Sequence, residues 1–276
     1  MRYVVAVSGG VDSVVLLHKF TKHPELEVIV AHFDHGIRDD SHEDAQFVED
    51  LARRYGLPFE TKREELGKQV SEERARDRRY EFLRTVANKY GARIVTAHHA
   101  DDAIETVAIN MTRGTGWRGL AVLDSDVMRP LLAMTKQEII DYARVHNLKW
   151  HEDSTNAGDA YLRNRIRKKT DSLSDDEKRQ LLGLRAHQIA SKNAIDAEVR
   201  ELIGEGPSYS RYFFIHASSS TAIECLRYAT QARLTRPQLE RALLAIKTNK
   251  AVTAYEAGAG LRIRFTSRNF TVELIK

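Results

Sequence analysis

The chain contains a short glycine-rich segment whose backbone and side chains suit the binding of a phosphate group. It reads Ser8-Gly9-Gly10-Val11-Asp12-Ser13 and separates a short apolar run from a stretch with helical spacing. Two glycines permit a tight turn, so that amide groups and the N-terminus of the following helix can face one anion. Kinase and GTPase loops carry a Gly-x-x-x-x-Gly-Lys-Ser/Thr pattern, which is absent from this sequence. We therefore predict a phosphate loop of another type.

A second segment places carboxylates beside histidines. Its polar residues are His98, His99, Asp101, Asp102 and Glu105. In a helix, Glu105 would lie one turn from both Asp101 and Asp102. Acidic residues at the start of a helix also favour its dipole, but three carboxylates beside two histidines exceed what a helix start requires. Carboxylate oxygens suit Mg²⁺ or a cationic substrate, and we predict that Asp102 and Asp12 are metal ligands.

A third polar segment, residues 32–36, contains His32, Asp34 and His35. A zinc site requires three or four convergent ligands, and imidazoles beside carboxylates are as often orienting groups. We favour a hydrogen-bonding rim around a nucleotide, with zinc as the alternative.

Positive charge is concentrated in a few segments, although the net charge is only +4. Basic residues cluster in 74–79 and 163–169, and residues 227–250 carry six basic side chains against one acidic one. Such clusters indicate binding to a phosphate backbone. The alternative is a set of solvated helix faces.

Length and composition exclude several classes of protein. A chain of 276 residues makes one large domain or two modest ones. No apolar run approaches the roughly 20 residues that span a bilayer, so no membrane partner is predicted. Cys225 is the only cysteine, which excludes an intrachain disulfide, an all-cysteine iron–sulfur site and a zinc ribbon. A reducing, cytoplasmic location follows as the expectation.

The elements that must position these residues alternate between apolar strands and longer helices. We predict strands at 3–7, 27–32, 59–62 and 93–97, and helices at 12–20, 42–55, 72–90 and 101–111. This alternation predicts a doubly wound parallel α/β sheet. Ligands of such sheets bind at the carboxyl ends of the strands, and each of the three polar segments directly follows a strand.

The second half of the chain has a different character. We predict helices at 135–146, 174–203, 221–232 and 237–247, and strands at 251–256, 261–265 and 270–275. Breakers at 204–208 suggest a boundary. We therefore divide the chain into a catalytic domain (1–170), a helical linker (171–206) and a small α+β C-terminal domain (207–276).

The motifs resemble those of the tRNA(Ile)-lysidine synthetase family, within the N-type ATP pyrophosphatases. They are SGGxDS from residue 8, an HxDHG-like element from 32, ExxARxxRY from 72, HHxDDxxET from 98 with an RG turn, RPL from 129, and EDSTN…RNxIR from 152. They follow one another in the family's order over residues 1–170, whereas residues 171–276 are similar only in architecture.

The resemblance implies that the chain ligates free L-lysine to the wobble cytidine of the minor isoleucine tRNA, using ATP and Mg²⁺ and an adenylylated cytidine intermediate. The implied ATP-binding residues are Ser8, Gly9, Gly10, Val11, Asp12, Ser13, His32, Asp34 and His35. The implied catalytic residues are Asp12, Asp101, Asp102, Glu105 and Arg113. The implied tRNA-binding residues are Arg74, Arg78, Arg79, Arg163, Asn164 and Arg167, with the small C-terminal domain contributing to tRNA binding.

Other functions remain open at this point. A tRNA thiolase would share the loop and the basic surface, but related thiolases use cysteines, and Cys225 stands alone far from the loop. Amide or amidine synthesis on a small molecule fits poorly with the basic segments. A non-catalytic RNA-binding protein fits poorly with the acidic residues. The sequence leaves open the oligomeric state, a homodimer included, and the way in which a short C-terminal domain distinguishes one tRNA from others.

Overall fold

The computed structural model describes residues 1–36, 41–67, 70–151 and 162–275, without the side chains of residues 72 and 162–164. The chain forms two compact units, Met1–Ile189 (unit 1) and Ala190–Lys276 (unit 2). The finer division into a catalytic domain, a linker and a C-terminal domain stays a prediction.

Unit 1 contains a parallel four-stranded sheet. Its strands are β1 (Arg2–Ala6), β2 (Glu27–Asp34), β3 (Phe59–Arg63) and β4 (Arg93–Val95). Their order in the sheet is β3-β2-β1-β4, and every pairing is parallel. The central strand β1 pairs with β2 and β4, so the ends of all three lie at one edge. The predicted parallel sheet is confirmed.

Helices cover both faces of this sheet. Those that pack on it include α1 (Val11–Thr21), α2 (Ser41–Arg54), α3 (Glu72–Tyr90) and α5 (Lys136–Val145). The chain also forms α4 (Ala100–Thr112), α6 (Leu162–Asp171) and α7 (Asp175–Ile203), and α7 continues into unit 2. Short 3₁₀ turns occupy Trp117–Leu120 and Pro130–Ala133. None of the helices in the described part of the chain is long and apolar enough to cross a membrane.

The two faces of the sheet take alternate residues of β1. Val5 packs in one core cluster with residues of α1, α2 and α5, such as Val15, Val48 and Ile139. Val4 packs in a second cluster with residues of α3, such as Leu83. Successive side chains of a strand point to opposite faces, so a continuous apolar strand requires helices on both sides. This confirms the doubly wound arrangement.

Unit 2 is a small α+β structure, as predicted. After the end of α7 come β5 (Ser208–Ser210), α8 (Arg211–His216), α9 (Ser219–Ala229), α10 (Arg236–Thr248), β6 (Ala254–Gly258), β7 (Leu261–Phe265) and β8 (Asn269–Leu274). The strands form an antiparallel sheet in the order β5-β8-β7-β6. The sequence did not indicate β5, because this three-residue strand forms only by pairing with the distant β8.

Candidate active site

The loop between β1 and α1 is held by its own hydroxyl groups. The Ser8 amide donates to Ser13 Oγ over 3.1 Å, and that hydroxyl donates to the Gly10 carbonyl over 2.9 Å. Gly9 has a φ of +95°, which residues with a Cβ rarely adopt. Gly10 is the N-cap of α1 and has no side chain to bond the first amides of the helix. These amides are therefore left for an anion to bind.

Asp12 of this loop is paired with a lysine that the sequence motifs did not indicate. Lys136 Nζ lies 2.7 and 2.8 Å from the two carboxylate oxygens of Asp12. Lys136 is the first residue of α5, which begins with a capping box made by Thr135 and Glu138. The Thr-x-x-Glu spacing marks the start of this helix in the sequence. It does not identify a partner 124 residues away, which only the fold brings close.

Asp101 accepts hydrogen bonds on both of its carboxylate oxygens. Its Oδ2 accepts from the backbone N–H of Lys136 over 2.7 Å, and its Oδ1 accepts from Lys178 Nζ over 3.2 Å. The side chains of Asp101 and Lys178 are only 21% and 22% exposed. The nearby His99, followed by these donors, holds the pKa of Asp101 well below its usual range. Asp101 therefore joins α4 to α5 and α7.

Glu105 is the buried member of the acidic cluster, which we define as Asp12, Asp101, Asp102 and Glu105. Glu105 accepts from Arg167 Nε over 3.1 Å. Burial raises the pKa of Glu105, and the Arg167 guanidinium opposes this rise. Arg167, which the sequence assigned to tRNA, thus contacts the acidic cluster instead of lying on a separate basic face.

His99 lies between the other three carboxylates of the cluster. Its ring nitrogens are 3.5 Å from Asp102, 3.6 Å from Asp101 and 3.9 Å from Asp12. Burial by itself lowers the pKa of His99, but the three carboxylates together outweigh it and raise the pKa. The His99 backbone N–H also donates to Asp102 over 2.9 Å. The structure therefore brings together the three aspartates predicted from two distant motifs.

Asp12 and Asp102, the predicted metal ligands, both face the Nε2 atom of His99. Mg²⁺ is bound in proteins by one or two carboxylates together with substrate phosphates and waters. Within residues 1–36, 41–67, 70–151 and 162–275, no three His, Cys, Asp or Glu side chains are arranged to hold a metal by themselves. The chemistry of this pair fits a magnesium ion that arrives with a nucleotide.

Asp34 stabilises the turn that follows β2. Its carboxylate accepts from the Gly36 amide over 2.9 Å and from the Ser41 hydroxyl over 3.1 Å, and Arg63 lies 3.3 Å away. All of these partners belong to the protein, and the donor set is not that of a zinc site. The zinc alternative therefore receives no support from the described residues.

His32 and His35 present ring nitrogens without a protein partner in the described part of the chain. His32 Nδ1 lies 2.8 Å from the Val7 carbonyl and donates to it, and its buried Nε2 has no partner. The buried Nδ1 of His35 is likewise unpartnered. Burial, followed by the charge of Arg79, lowers the pKa of His35 to about 4. His35 is thus a neutral group, and both histidines are at the edge where the phosphate loop lies.

The arginines of α3 differ in what they contact. Arg78 donates to both carboxylate oxygens of Glu64, over 2.7 and 3.0 Å, and also contacts Glu81. Its guanidinium is therefore already used within the protein. Arg74 is exposed near the start of the helix, and Arg79 is half-buried.

Arg79 belongs to a second cluster, the arginine group, which we define as Arg76, Arg79 and Arg129. Burial is the largest cause that lowers the pKa of His98 to about 3, and the positive charges of these three arginines act in the same direction as burial. Arg129 Nη1 donates to the carbonyls of Leu123 and Val127 over 3.0 and 2.9 Å. No carboxylate pairs with any of the three among the residues that the structure describes.

Arg113, Arg163 and Asn164 are predicted site residues that the structure does not assign to the acidic cluster. Arg113 follows the last turn of α4, whereas Asp101 and Asp102 lie in the first turn, so the helix separates them. The side chains of Arg163 and Asn164 and the whole segment 152–156 lie outside the described residues. The roles assigned to these residues stay predictions.

Comparisons with known proteins identify the first part of the chain. A tRNA(Ile)-lysidine synthase of Thermotoga maritima is 41% identical over 178 residues, which are 59% of this chain and 43% of the relative. A tRNA(Ile)-lysidine synthase of Bacillus cereus is 40% identical over 183 residues, 60% of this chain and 38% of the relative. The resemblance expected from the motifs is confirmed. The chain spans about two fifths of the length of these curated relatives.

A solved structure supports the same fold. The U34-tRNA thiolase NcsA from Methanococcus maripaludis, with its [4Fe-4S] cluster, superposes with a TM-score of 0.54 over 71% of this chain and 72% of that chain. At 16% sequence identity this likeness concerns the fold alone. The family model of the PP-loop domain matches residues 1–172, which include both the phosphate loop and the acidic cluster. The chain therefore belongs to the PP-loop domain family.

Proposed function

We propose that this protein attaches the ε-amine of free lysine to the wobble cytidine of the minor isoleucine tRNA, whose anticodon is CAU, at the expense of ATP. The carbonyl oxygen of cytosine first attacks the α-phosphorus of ATP, and pyrophosphate leaves. The lysine amine then bonds to the activated ring carbon while the bond from that carbon to oxygen breaks. AMP departs with the oxygen, and the amine loses a proton.

A single observation carries this proposal: the acidic cluster lies directly against the phosphate loop, through Asp12 and His99. A phosphate-binding loop by itself serves many reactions of ATP. Carboxylates beside it supply what an amine nucleophile requires, because a free lysine side chain has a pKa of about 10.4 and is mostly protonated at neutral pH. A carboxylate can bind that ammonium group and take up its proton as the new bond forms.

The triphosphate has several donors available in the loop. The first amides of α1 lie at the turn after Gly9, and the Ser8 hydroxyl, 3.3 Å from Ser13 Oγ, is a further donor that can rotate toward a phosphate. Lys136 adds a positive charge that the loop itself lacks, and its side chain is 44% exposed and therefore able to turn from Asp12 to a phosphate. Asp12 and one oxygen of Asp102 would hold a Mg²⁺ ion, which neutralises charge on the phosphates when it is bound, and the other oxygen of Asp102 would remain for the substrate amine.

Asp102 is the member of the cluster best placed to receive the substrate's ammonium group. Asp12 and Asp101 are each paired with a lysine of the chain, and Glu105 with an arginine. Asp102 accepts a backbone hydrogen bond and lies beside His99, without a lysine or arginine partner among the described residues. Its side chain is 27% exposed, so a ligand can reach it.

The tRNA would be bound by positive charge near this site and by unit 2. The arginine group carries no carboxylate partner in the described part of the chain, so its charge is available to RNA phosphates. A base that reacts in a pocket has to be unstacked, and an anticodon loop presents its bases in that way. Lysine, ATP and tRNA are all cytoplasmic, which places the protein there.

A thiolase is the second candidate, favoured by the fold of the solved neighbour. It is the weaker candidate because Cys225 is fully buried in the core of unit 2. Burial, followed by the charge of Glu224, raises the pKa of this thiol to about 11. A buried neutral thiol is a poor nucleophile and a poor metal ligand.

The proposal is tested by incubating the purified chain with radiolabelled lysine, ATP, Mg²⁺ and a transcript of the minor isoleucine tRNA. We expect label in the RNA, with one pyrophosphate and one AMP released for each lysine attached. The matched control is the same transcript with the wobble cytidine changed to uridine, which should take up no label. Folded protein that releases no pyrophosphate and attaches no lysine would refute the proposal.

A further inference from the structure

Lys178 lies at an electrostatically unfavourable place in its helix. It is in the first turn of α7, which starts with Asp175, Asp176 and Glu177 and is capped by Ser174. Acidic residues suit this end of a helix, whereas a cation is repelled by the helix dipole there. Lys178 is also 78% buried, since its side chain is 22% exposed. A buried cation at the positive end of a helix needs a specific partner, and this partner is Asp101.

The contacts of Asp101 extend this pairing to the phosphate loop. One oxygen of Asp101 accepts from Lys178, and the other accepts from the backbone N–H of Lys136. The side chain of Lys136 reaches from that position to both oxygens of Asp12. Three consecutive links therefore connect the start of α7 to the loop between β1 and α1.

We propose that Lys178 is a positioning residue for the phosphate loop: it orients Asp101, which holds the backbone N–H of Lys136 and so fixes the point from which the Lys136 side chain reaches Asp12 and the loop. Lys178 lies beyond residues 1–172, the part of the chain that matches the family model. A helix outside the PP-loop domain thus contributes to the geometry of its phosphate site. This inference rests on the proposed use of ATP at that loop.

The role requires a carboxylate that cannot rotate. Without Lys178, the carboxylate of Asp101 would keep the Lys136 amide and His99 as neighbours but would lose its second hydrogen bond. Two bonds at the two ends of a carboxylate define its plane, whereas one bond permits rotation about it. A charge-assisted hydrogen bond in a partly buried site has a large enough effect to be measured in ligand affinity.

The test measures the binding of a non-hydrolysable ATP analogue with Mg²⁺ by isothermal titration calorimetry, using the full chain without lysine or RNA. Lys178→Met should weaken binding about tenfold, as expected for a lost charge-assisted hydrogen bond. Lys178→Arg should restore most of the affinity, because it keeps a donor and the charge. The matched control is Arg179→Met, since Arg179 is on the same helix, is 72% exposed and has Asp176 as its one ion-pair partner among the described residues. Its affinity should equal that of the wild type.

A double-mutant cycle distinguishes positioning through Asp101 from a general loss of structure. In an Asp101→Asn background, Lys178→Met should cause little further loss, because the partner through which it acts has already changed. If Lys178→Met does not fold, Lys178→Gln keeps a neutral donor and should bind the analogue more weakly than Lys178→Arg. Equal affinities for the wild type, the foldable Lys178 variants and Arg179→Met would overturn the inference.

The binding assay also separates this inference from the proposed function. If the wild type binds the analogue but Lys178→Met or Lys178→Gln binds it equally well, only the role of Lys178 is wrong. If the wild type binds no ATP analogue at all, the proposed function fails and this inference fails with it. Lysine attachment is judged by its own assay.

Discussion

The acidic cluster and the arginine group both lie near the carboxyl edge of the parallel sheet, but their charges are balanced in different ways. Asp12, Asp101 and Glu105 are each paired with a lysine or arginine of the chain itself. In the arginine group, Arg129 donates to carbonyls and Arg76 and Arg79 lie over the ring of Tyr80, with no carboxylate partner among the described residues. A cation that enters the acidic cluster must therefore compete with resident cations, whereas an anion that meets the arginine group displaces none.

This difference has a consequence for selectivity. Where the protein's own lysine and arginine side chains satisfy most carboxylates, a weakly bound cation gains little by replacing them. A ligand that binds at Asp102 and is also held by its other groups can still enter. In the arginine group, guanidinium groups without a carboxylate partner among the described residues can bind any correctly spaced phosphate. Such contacts increase affinity for RNA more than they increase specificity.

The largest effect is expected from the open carboxylate of the acidic cluster. Asp102→Asn should reduce lysine attachment to the tRNA about 10³-fold, because it removes the charge that holds the amine and accepts its proton. The measurement is single-turnover transfer of labelled lysine. The control is Asp141→Asn, a change of the same kind on an exposed side chain of α5. Near wild-type transfer by Asp102→Asn would show that another carboxylate receives the lysine.

A large effect on stability is expected where the acidic cluster is most buried. Arg167→Met should lower the free energy of unfolding by about 2 kcal/mol, a value reduced from that of fully buried pairs because Arg167 is partly exposed. The cause is loss of the cation that faces the buried Glu105 carboxylate. Urea denaturation measures it, with the exposed Arg74→Met as control. Equal stability of the two variants would show that the pairing of Arg167 with Glu105 does not stabilise the fold.

The arginine group should affect RNA binding more than stability. Arg79→Met should weaken tRNA binding about tenfold and reduce the slope of log affinity against log salt by about 0.7 to 0.9, the value for one lost phosphate contact. Fluorescence titrations at several salt concentrations measure both quantities. Arg78→Met is the matched control, because Arg78 is already bound to Glu64 and Glu81. Equal losses in the two variants would contradict the distinction between paired and unpaired arginines.

The last effect appears only when the pH is changed and concerns the neutral His35 beside Arg79. The pKa of His35 is about 4 in the folded protein, below its ordinary value of 6.5. Between these values the unfolded chain binds a proton that the folded chain does not, so stability falls as the pH is lowered through this window. Through His35, the free energy of unfolding falls by at most about 1.4 kcal/mol for each pH unit in this window. Below the folded-state pKa of about 4, this group causes no further loss of stability.

His35→Gln should remove this contribution, so that its free energy of unfolding changes less between pH 6.5 and pH 4 than that of the wild type. Urea denaturation at several pH values measures the slope. The exposed His187→Gln is the control and should keep the wild-type slope. An unchanged slope in His35→Gln would indicate that His35 is protonated in the folded protein.

Much of the fold could be predicted because its signals are local. The apolar strands, the glycine that ends α3 and the glycine-rich turn before α1 depend on residues adjacent in sequence. Strand β5 could not be predicted, because its three residues become a strand only by pairing with β8. The start of β6 is also later than predicted, since Val252 adopts a positive φ of 61° in a turn. A pairing distant in sequence thus forms β5, whereas a turn at Val252 delays the start of β6.

The candidate site divides in the same way. The motifs identified the loop, the three aspartates and Glu105, because family resemblance preserves residue types at fixed spacings. They did not identify Lys136 or Lys178 as partners, since these lysines are separated from Asp12 and Asp101 by 124 and 77 residues. They also did not show that Arg78 and Arg167 face carboxylates of the protein itself.

The sequence by itself determined the kinds of groups that this protein can use: a turn that exposes amides, carboxylates at the start of a helix, and arginines in quantity. Those properties follow from residue type and from spacing within one element. Only the tertiary structure decided which charges are neutralised within the chain and which remain for a ligand. The physical reason is that an ion pair depends on a distance of a few ångströms, and that distance is set by the packing of elements far apart in the sequence.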